Sequence, residues 1–191
     1  MAKRKIAVLY GSVRHHRQGI RAARFIEKLA AARGWEVDFI DAKAENLPLL
    51  DEMYKEMENP PEGLQRLHQR LEAAEGYLVV TGEYNHSFPP ALKNLLDHFQ
   101  QEYLFKPAGI VSYSAGIFGG VRSAVQLRIT LGELGMVTIS SMLPILSVHK
   151  SIDEEGNAQD EKYEKFAARF LDEFAWYVEA LSRQRAEGTP F

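Results

Sequence analysis

Short, continuous apolar runs alternate along this chain with longer stretches whose apolar residues recur every three or four positions. Ile6-Ala7-Val8-Leu9-Tyr10, stopped by Gly11-Ser12, has the unbroken hydrophobicity of a strand buried on both faces. From Gly19 onward, Ile20, Ala23, Phe25, Ile26, Leu29 and Ala30 fall at helical spacing, and Gly34 closes the helix. Trp35 to Ile40 alternates as a second strand. Pro60-Pro61 introduces a helix marked by Leu64, Leu67 and Leu71, and Gly76 leads into a third strand, Tyr77 to Thr81. A helix opened by Pro89-Pro90 carries Leu92, Leu95, Leu96 and Phe99; proline suits the first turn, where its missing N–H is not needed. Ala108 to Tyr113 reads as a fourth strand. A helix with Val121, Val125, Leu127, Ile129 and Leu131 follows and breaks near Gly132 and Gly135, and Met136 to Ile139 is a short fifth strand. Tyr163, Phe166, Phe170, Phe174 and Tyr177 fall on one side of a final helix, with Phe166, Phe170 and Phe174 expected in the core.

Five buried strands separated by helices predict an α/β fold with a parallel sheet covered on both faces. Periodicity does not encode the strand order. Residues 1–184 are expected to form one domain, with 185–191 as a C-terminal tail. Asp41 to Gly63 is a long connection with little pattern, of the kind that is often functional or mobile. Ser151 to Asp160 is a second polar excursion.

Composition narrows the function classes. At 191 residues a single core suffices without staples. Lys plus Arg number 23 and Asp plus Glu 26, a formal charge of −3, which argues against broad binding to nucleic acid or anionic membrane. Cysteine is absent, which removes disulfide frameworks, thiolate metal sites and cysteine nucleophiles together. No apolar run approaches the roughly 20 residues of a membrane helix. The basic start, Met-Ala-Lys-Arg-Lys, precedes an apolar stretch too short for a signal peptide, so the expected location is the cytoplasm.

In a doubly wound sheet, ligands gather at the carboxyl ends of the strands. After the first strand comes Gly11 to Arg21, with Ser12, Arg14, Arg17 and Gly19 running into a helix N-terminus. Free amides and the positive end of the helix dipole favour an anion there, and arginine can hold phosphate oxygens in pairs. A solvated basic turn is the alternative. Neither the G-x-x-x-x-G-K-[ST] nor the G-x-G-x-x-G spacing occurs there. After the third strand, Glu83, Tyr84, Asn85 and His86 suit the edge and face of a planar heterocycle, while Ser87 can cap the next helix. After the fourth, Ser114, Gly116, Gly119 and Gly120 let backbone amides approach a ligand, or simply form a flexible loop. His15 and His16 read as solvated, His68, His98 and His149 lack metal-ligand spacing, and no metal site is expected.

Taken together, Gly11-Ser12-x-Arg14-x-x-Arg17-x-Gly19, Glu83-Tyr84-Asn85-His86-Ser87, Leu92-Lys93-Asn94-x-x-Asp97 and Ser114-Ala115-Gly116-x-x-Gly119-Gly120 resemble the NADPH-dependent FMN reductase family. Leu47-Pro48-Leu49-Leu50-Asp51 resembles that family's loop after strand two, and the likeness runs from about Lys5 to Pro144. Two positions depart from it: Gly82 stands where the family usually has proline, and Arg17 where many members have serine.

The resemblance implies a flavodoxin-like three-layer fold and an FMN-binding domain. Ser12, Arg14 and Arg17 would then meet the FMN phosphate, Glu83 to His86 would flank the isoalloxazine, and Ser114 to Gly120 would line its other side. It further implies a hydride passed from NADPH to bound FMN and on to a quinone, azo dye, metal oxyanion or free flavin. Such chemistry resides in the cofactor, so no catalytic side chain is expected; His86 as a proton donor is the alternative. With no second nucleotide fingerprint, donor and acceptor are expected to alternate in ping-pong turnover. A flavodoxin-like electron carrier and a phosphoester-binding module without redox activity are the rival readings. A homodimer or homotetramer is expected, both from the resemblance and because Leu92, Leu95, Leu96 and Phe99 exceed what one sheet contact needs.

Overall fold

The computed structural model of the chain describes residues 3–191; the first two residues of the basic N-terminal stretch, Met1 and Ala2, lie outside them. Five strands, β1 (Lys5–Tyr10), β2 (Glu36–Asp41), β3 (Gly76–Gly82), β4 (Pro107–Tyr113) and β5 (Val137–Ile145), form one parallel sheet in the order β2-β1-β3-β4-β5. The helices are α1 (Ile20–Ala32), α2 (Ala42–Glu45), α3 (Glu62–Ala73), α4 (Pro90–Asp97), α5 (Val121–Glu133), α6 (Val148–Ser151) and α7 (Glu161–Ala186).

The central strands owe their unbroken apolar character to burial on both sides. Ile6, Val8, Tyr10, Leu78, Val80 and Val111 face the core under α1 and α7. Ala7, Leu9, Tyr77, Val79, Ala108 and Ile110 face the core under α3, α4 and α5. Alternate residues therefore feed opposite layers, as strand geometry requires.

Four expectations need correction. The fifth strand does not stop at Ile139. It continues to Ile145 past a register shift, in which Ala108 pairs Thr138 but Ile110 pairs Met142. The amides of Ser140 and Ser141 donate to Glu173, and the carbonyls of Ile139 and Ser140 accept from Arg128, so side chains satisfy the backbone the ladder leaves over. The final helix runs to Ala186, two residues into the segment expected as a tail, with Ser182 buried and Arg185 bonded to the Phe105 carbonyl and paired with Glu75. Phe170 and Phe174 are core, but Phe166 is 59% exposed. Leu92, Leu95, Leu96 and Phe99 are all buried within the chain, so they offer no free surface to a partner.

The long connection after β2 is pinned rather than loose. The Leu50 amide donates to Asn94 Oδ1 at 2.9 Å, and Asn94 Nδ2 donates to the Pro48 carbonyl at 2.7 Å. Tyr54 stacks on His68 with centroids 4.4 Å apart. No helix among the described residues is long and apolar enough to cross a membrane.

Candidate functional site

The loops after β1, β3 and β4 meet at the carboxyl edge of the sheet because those strands are neighbours. Six of the residues singled out from sequence, Ser12, Arg14, Arg17, Glu83, Tyr84 and Ser114, line one cleft of about 170 Å³. The first loop enters α1 without a side-chain cap. The backbone amides of residues 12–19 donate to no acceptor among the described residues, whereas those of Ile20 and Arg21 are used in the turn. This run of donors lies just ahead of the positive end of a thirteen-residue helix, and both features favour an anion.

The two arginines of this loop differ. Arg17 reaches back to Asp41, at the end of β2, through two bonds of 2.5 and 2.6 Å, and also donates to the Ser12 carbonyl at 3.0 Å. Its guanidinium lies 5.1 Å over the Tyr10 ring. The Asp41 carboxylate raises the Arg17 pKa above its ordinary value. Arg17 is thus a strut between two loops. Arg14 is exposed, lies 5.8 Å over the Tyr84 ring and has no carboxylate partner among the described residues, which leaves it the free cation of the cleft.

The third loop is a tight turn. The amides and carbonyls of Tyr84 and Ser87 bond reciprocally at 2.8 and 3.0 Å, with Asn85 (φ 50°) and His86 (φ 71°) both left-handed between them. A histidine in that conformation is strained, and such strain gathers at ligand-gripping loops. Asn85 and His86 sit at the tip rather than in the cleft wall. The Tyr84 hydroxyl bonds that of Ser12 at 3.0 Å, tying the third loop to the first. Glu83 meets Arg122 at 3.2 Å through Oε1, while its Oε2 is buried without a partner among the described residues.

In the fourth-strand loop the Gly116 carbonyl accepts from the Ser114 hydroxyl and the Ser147 amide. A Cβ on Gly116 would meet nothing, so no internal packing demands glycine there. Gly119 (φ 60°) accepts a bond from Ser112, and its left-handed backbone does call for glycine. Gly19 lies against Tyr113 rather than in the cleft wall. Tyr113 itself lines the cleft, with burial pushing its phenol up to about 12. Sequence reading missed Tyr113 as a site residue, together with Asp41 and Arg122. Asp41 carried one usable signal, its place at a strand's carboxyl end. The free amides, the unpaired Arg14 and the buried Glu83 Oε2 together suit a phosphate ester joined to a planar, hydrogen-bonding heterocycle, which is the make-up of FMN.

A wider depression of about 430 Å³ adjoins the first loop at Val13, lined further by Leu47, Leu49, Pro90 and Asn94.

Residues 4–150 match the sequence pattern of a family described as NADPH-dependent FMN reductase. A quinone reductase of Pseudomonas putida strain KT2440 is 30% identical over 178 residues, covering 91% of this chain and 94% of its own length. A 2-hydroxy-1,4-benzoquinone reductase of a Burkholderia species is 32% identical over 180 residues, covering 91% and 96%. Among solved structures, FerB, a flavoenzyme NAD(P)H:(acceptor) oxidoreductase from Paracoccus denitrificans, superposes with a TM-score of 0.79 at 28% identity over 93% of this chain and 98% of that one. A Pseudomonas aeruginosa flavodoxin shares the fold, at a TM-score of 0.55 and 23% identity, over 92% of this chain and 99% of its own.

Proposed function

The chain belongs to the NADPH-dependent FMN reductase family, and on that premise we propose that it is an FMN-containing oxidoreductase, using NADPH to reduce quinones and comparable small acceptors. The observation that carries this reading is the run of unpaired amides at residues 12–19 beside the free Arg14, facing Glu83 and Tyr84, at the base of the strained turn, across one cleft.

Ser12, Arg14 and the first-loop amides would hold the FMN phosphate, and the amides would give up no acceptor among the described residues to do so. Arg17 serves this site indirectly, since its pairing with Asp41 fixes the loop that carries those amides. The turn Glu83 to His86 would hold the ring's polar edge, and its rigidity sets which groups face the ring. Ser114, Gly116 and Gly119 would line the far side, where the open space at Gly116 lets backbone approach closely. When bound, FMN supplies the two-electron centre between nicotinamide and acceptor; the chain's own task is orientation and exclusion of water, so no side chain is assigned as catalytic.

The reading extends to a homodimer or a dimer of dimers. Support comes from the resemblance and from Leu49, 86% exposed, and Leu50 on the rim of a depression of about 610 Å³ along α4.

The test is optical. Purified protein given FMN and freed of excess flavin should keep a flavin visible spectrum, bleach on anaerobic NADPH and regain colour on adding a soluble quinone. A protein that retains no flavin refutes the reading. One that retains flavin but is not bleached by NADPH is a carrier instead.

A further inference from the structure

Tyr113, the last residue of β4, occupies a place at this site that no motif marks. Its ring is only 8% exposed and lines the cleft where the first and third loops face each other. The phenol end touches both loops. A Cβ on Gly19 would overlap Tyr113 Cζ, Cε2 and Oη, and one on Gly82 would lie 2.9 Å from Cζ and from Oη, closer than real Cβ atoms come. Neither glycine has the left-handed backbone that would otherwise call for it. The lack of a side chain at both positions is therefore dictated by the tyrosine ring.

The ring is nearly buried and the backbone that carries it is closely covered. The Tyr10 ring lies beside it, tilted by 44° with centroids 6.5 Å apart. On the main-chain side, a Cβ on Gly120 would come within 2.6 Å of the Tyr113 carbonyl oxygen, so the turn into α5 closes directly over the Tyr113 backbone. Gly82, which stands out in the sequence as a departure from proline, thus has a local physical cause.

We propose that Tyr113 is a positioning residue for FMN, a spacer wedged between the loop that takes the phosphate and the loop that faces the ring, and that Gly82 is the complement this spacer requires. The inference rests on the FMN reading above. A ligand gripped at two points gains affinity from the second grip only while the distance between grips matches the ligand. Relaxing that distance leaves each grip intact and removes the gain from having both. Riboflavin, which lacks the phosphate, uses one grip and provides the internal control.

The experiment measures dissociation constants of FMN and riboflavin by flavin-fluorescence titration, for the parent, Tyr113→Phe, Tyr113→Ala, Gly82→Ala and the double variant Gly82→Ala/Tyr113→Ala. Circular-dichroism melting of each flavin-free protein establishes that it is folded. Tyr113→Phe keeps the ring and should stay within about twofold of the parent for both ligands. Tyr113→Ala should lose about tenfold or more in FMN affinity with riboflavin little changed, so the ratio between the two ligands falls. Gly82→Ala should cost about tenfold alone and little more when added to Tyr113→Ala, because the clash is then gone. Equal losses for FMN and riboflavin in Tyr113→Ala, or the same cost of Gly82→Ala in both backgrounds, overturn the spacer. Should Tyr113→Ala fail to fold, a folded Gly82→Ala with parental FMN affinity overturns it equally, and one with a selective FMN loss supports it. A parent that binds no FMN refutes the FMN reading itself, which is a separate result.

Discussion

The two arginines of the first loop should fail in different ways when each is replaced by alanine. Arg17 holds Asp41 through both carboxylate oxygens at 2.5 and 2.6 Å, and the two side chains are only 20% and 13% exposed. Removing it leaves a mostly buried carboxylate with the Lys43 amide as its remaining donor. An exposed ion pair contributes under about 1 kcal/mol and breaking a fully buried one costs about 3–5, so this intermediate case should cost about 2 kcal/mol. For a chain of this length each kcal/mol moves the melting temperature by about 2–4 °C, which gives a fall of about 4–8 °C. Arg14 is exposed and has no carboxylate partner among the described residues, so Arg14→Ala should leave the flavin-free melting temperature within about 2 °C. Its loss should appear instead in FMN affinity, where a charge-assisted contact of about 1.5–3 kcal/mol corresponds to about 10- to 100-fold. Thermal melts without flavin and FMN titrations on both variants decide the matter. An Arg14→Ala protein with parental FMN affinity, or an Arg17→Ala protein that melts normally yet binds FMN weakly, would reverse the roles given to the two side chains.

Initial rates with NADPH and a soluble quinone both varied should give parallel double-reciprocal lines, since donor and acceptor take turns at one open face; intersecting lines would demand a second nucleotide pocket. Light scattering at micromolar concentration should return at least twice the 21.6 kDa chain mass, and a monomer mass would refute the assembly. Burial pushes the Lys106 amine down to about 8 from its ordinary 10.5, while its Nζ donates to the Glu72 carbonyl at 2.7 Å. The folded chain therefore binds fewer protons than the unfolded one between those pH values, and stability should rise with pH across that window. Urea midpoints of the parent minus those of Lys106→Met should climb between pH 8 and 10.5, and a flat difference would contradict the assigned burial effect.

Much of this architecture can be read from residue pattern because its inner strands are buried on both faces. Ile6–Tyr10, Tyr77–Thr81 and Ala108–Tyr113 are legible for that reason. The far half of β5 is not, because Ser140, Ser141 and Pro144 interrupt the apolar run and the backbone there is satisfied by Glu173 and Arg128 from two helices. Periodicity likewise cannot tell a core stripe from an exposed one, as Phe166 and the solvent-facing Val125 and Ile129 of α5 demonstrate. At the site, the three loops were visible as loops. Their cross-links were not, since Arg17 with Asp41, Glu83 with Arg122, and Tyr113 with Gly82 become neighbours only once the strand order is fixed.

The match to the family ends at residue 150, but the hydrophobic core does not. Helix α7 begins at Glu161 and presses Phe170 and Phe174 onto the middle of the sheet. The seats for those rings are cut into the strands themselves, for a Cβ on Gly109 would stand 2.7 Å from Phe170 Cζ and one on Gly76 2.9 Å from Phe174 Cζ. A polypeptide ending at residue 150 would retain all three loops of the site and still present a bare, notched apolar face to water, a surface suited to self-association rather than to a stable native state. A chain cut before this helix is therefore expected to lose its fold, and with it a site at one edge of the sheet to which the helix contributes no residue.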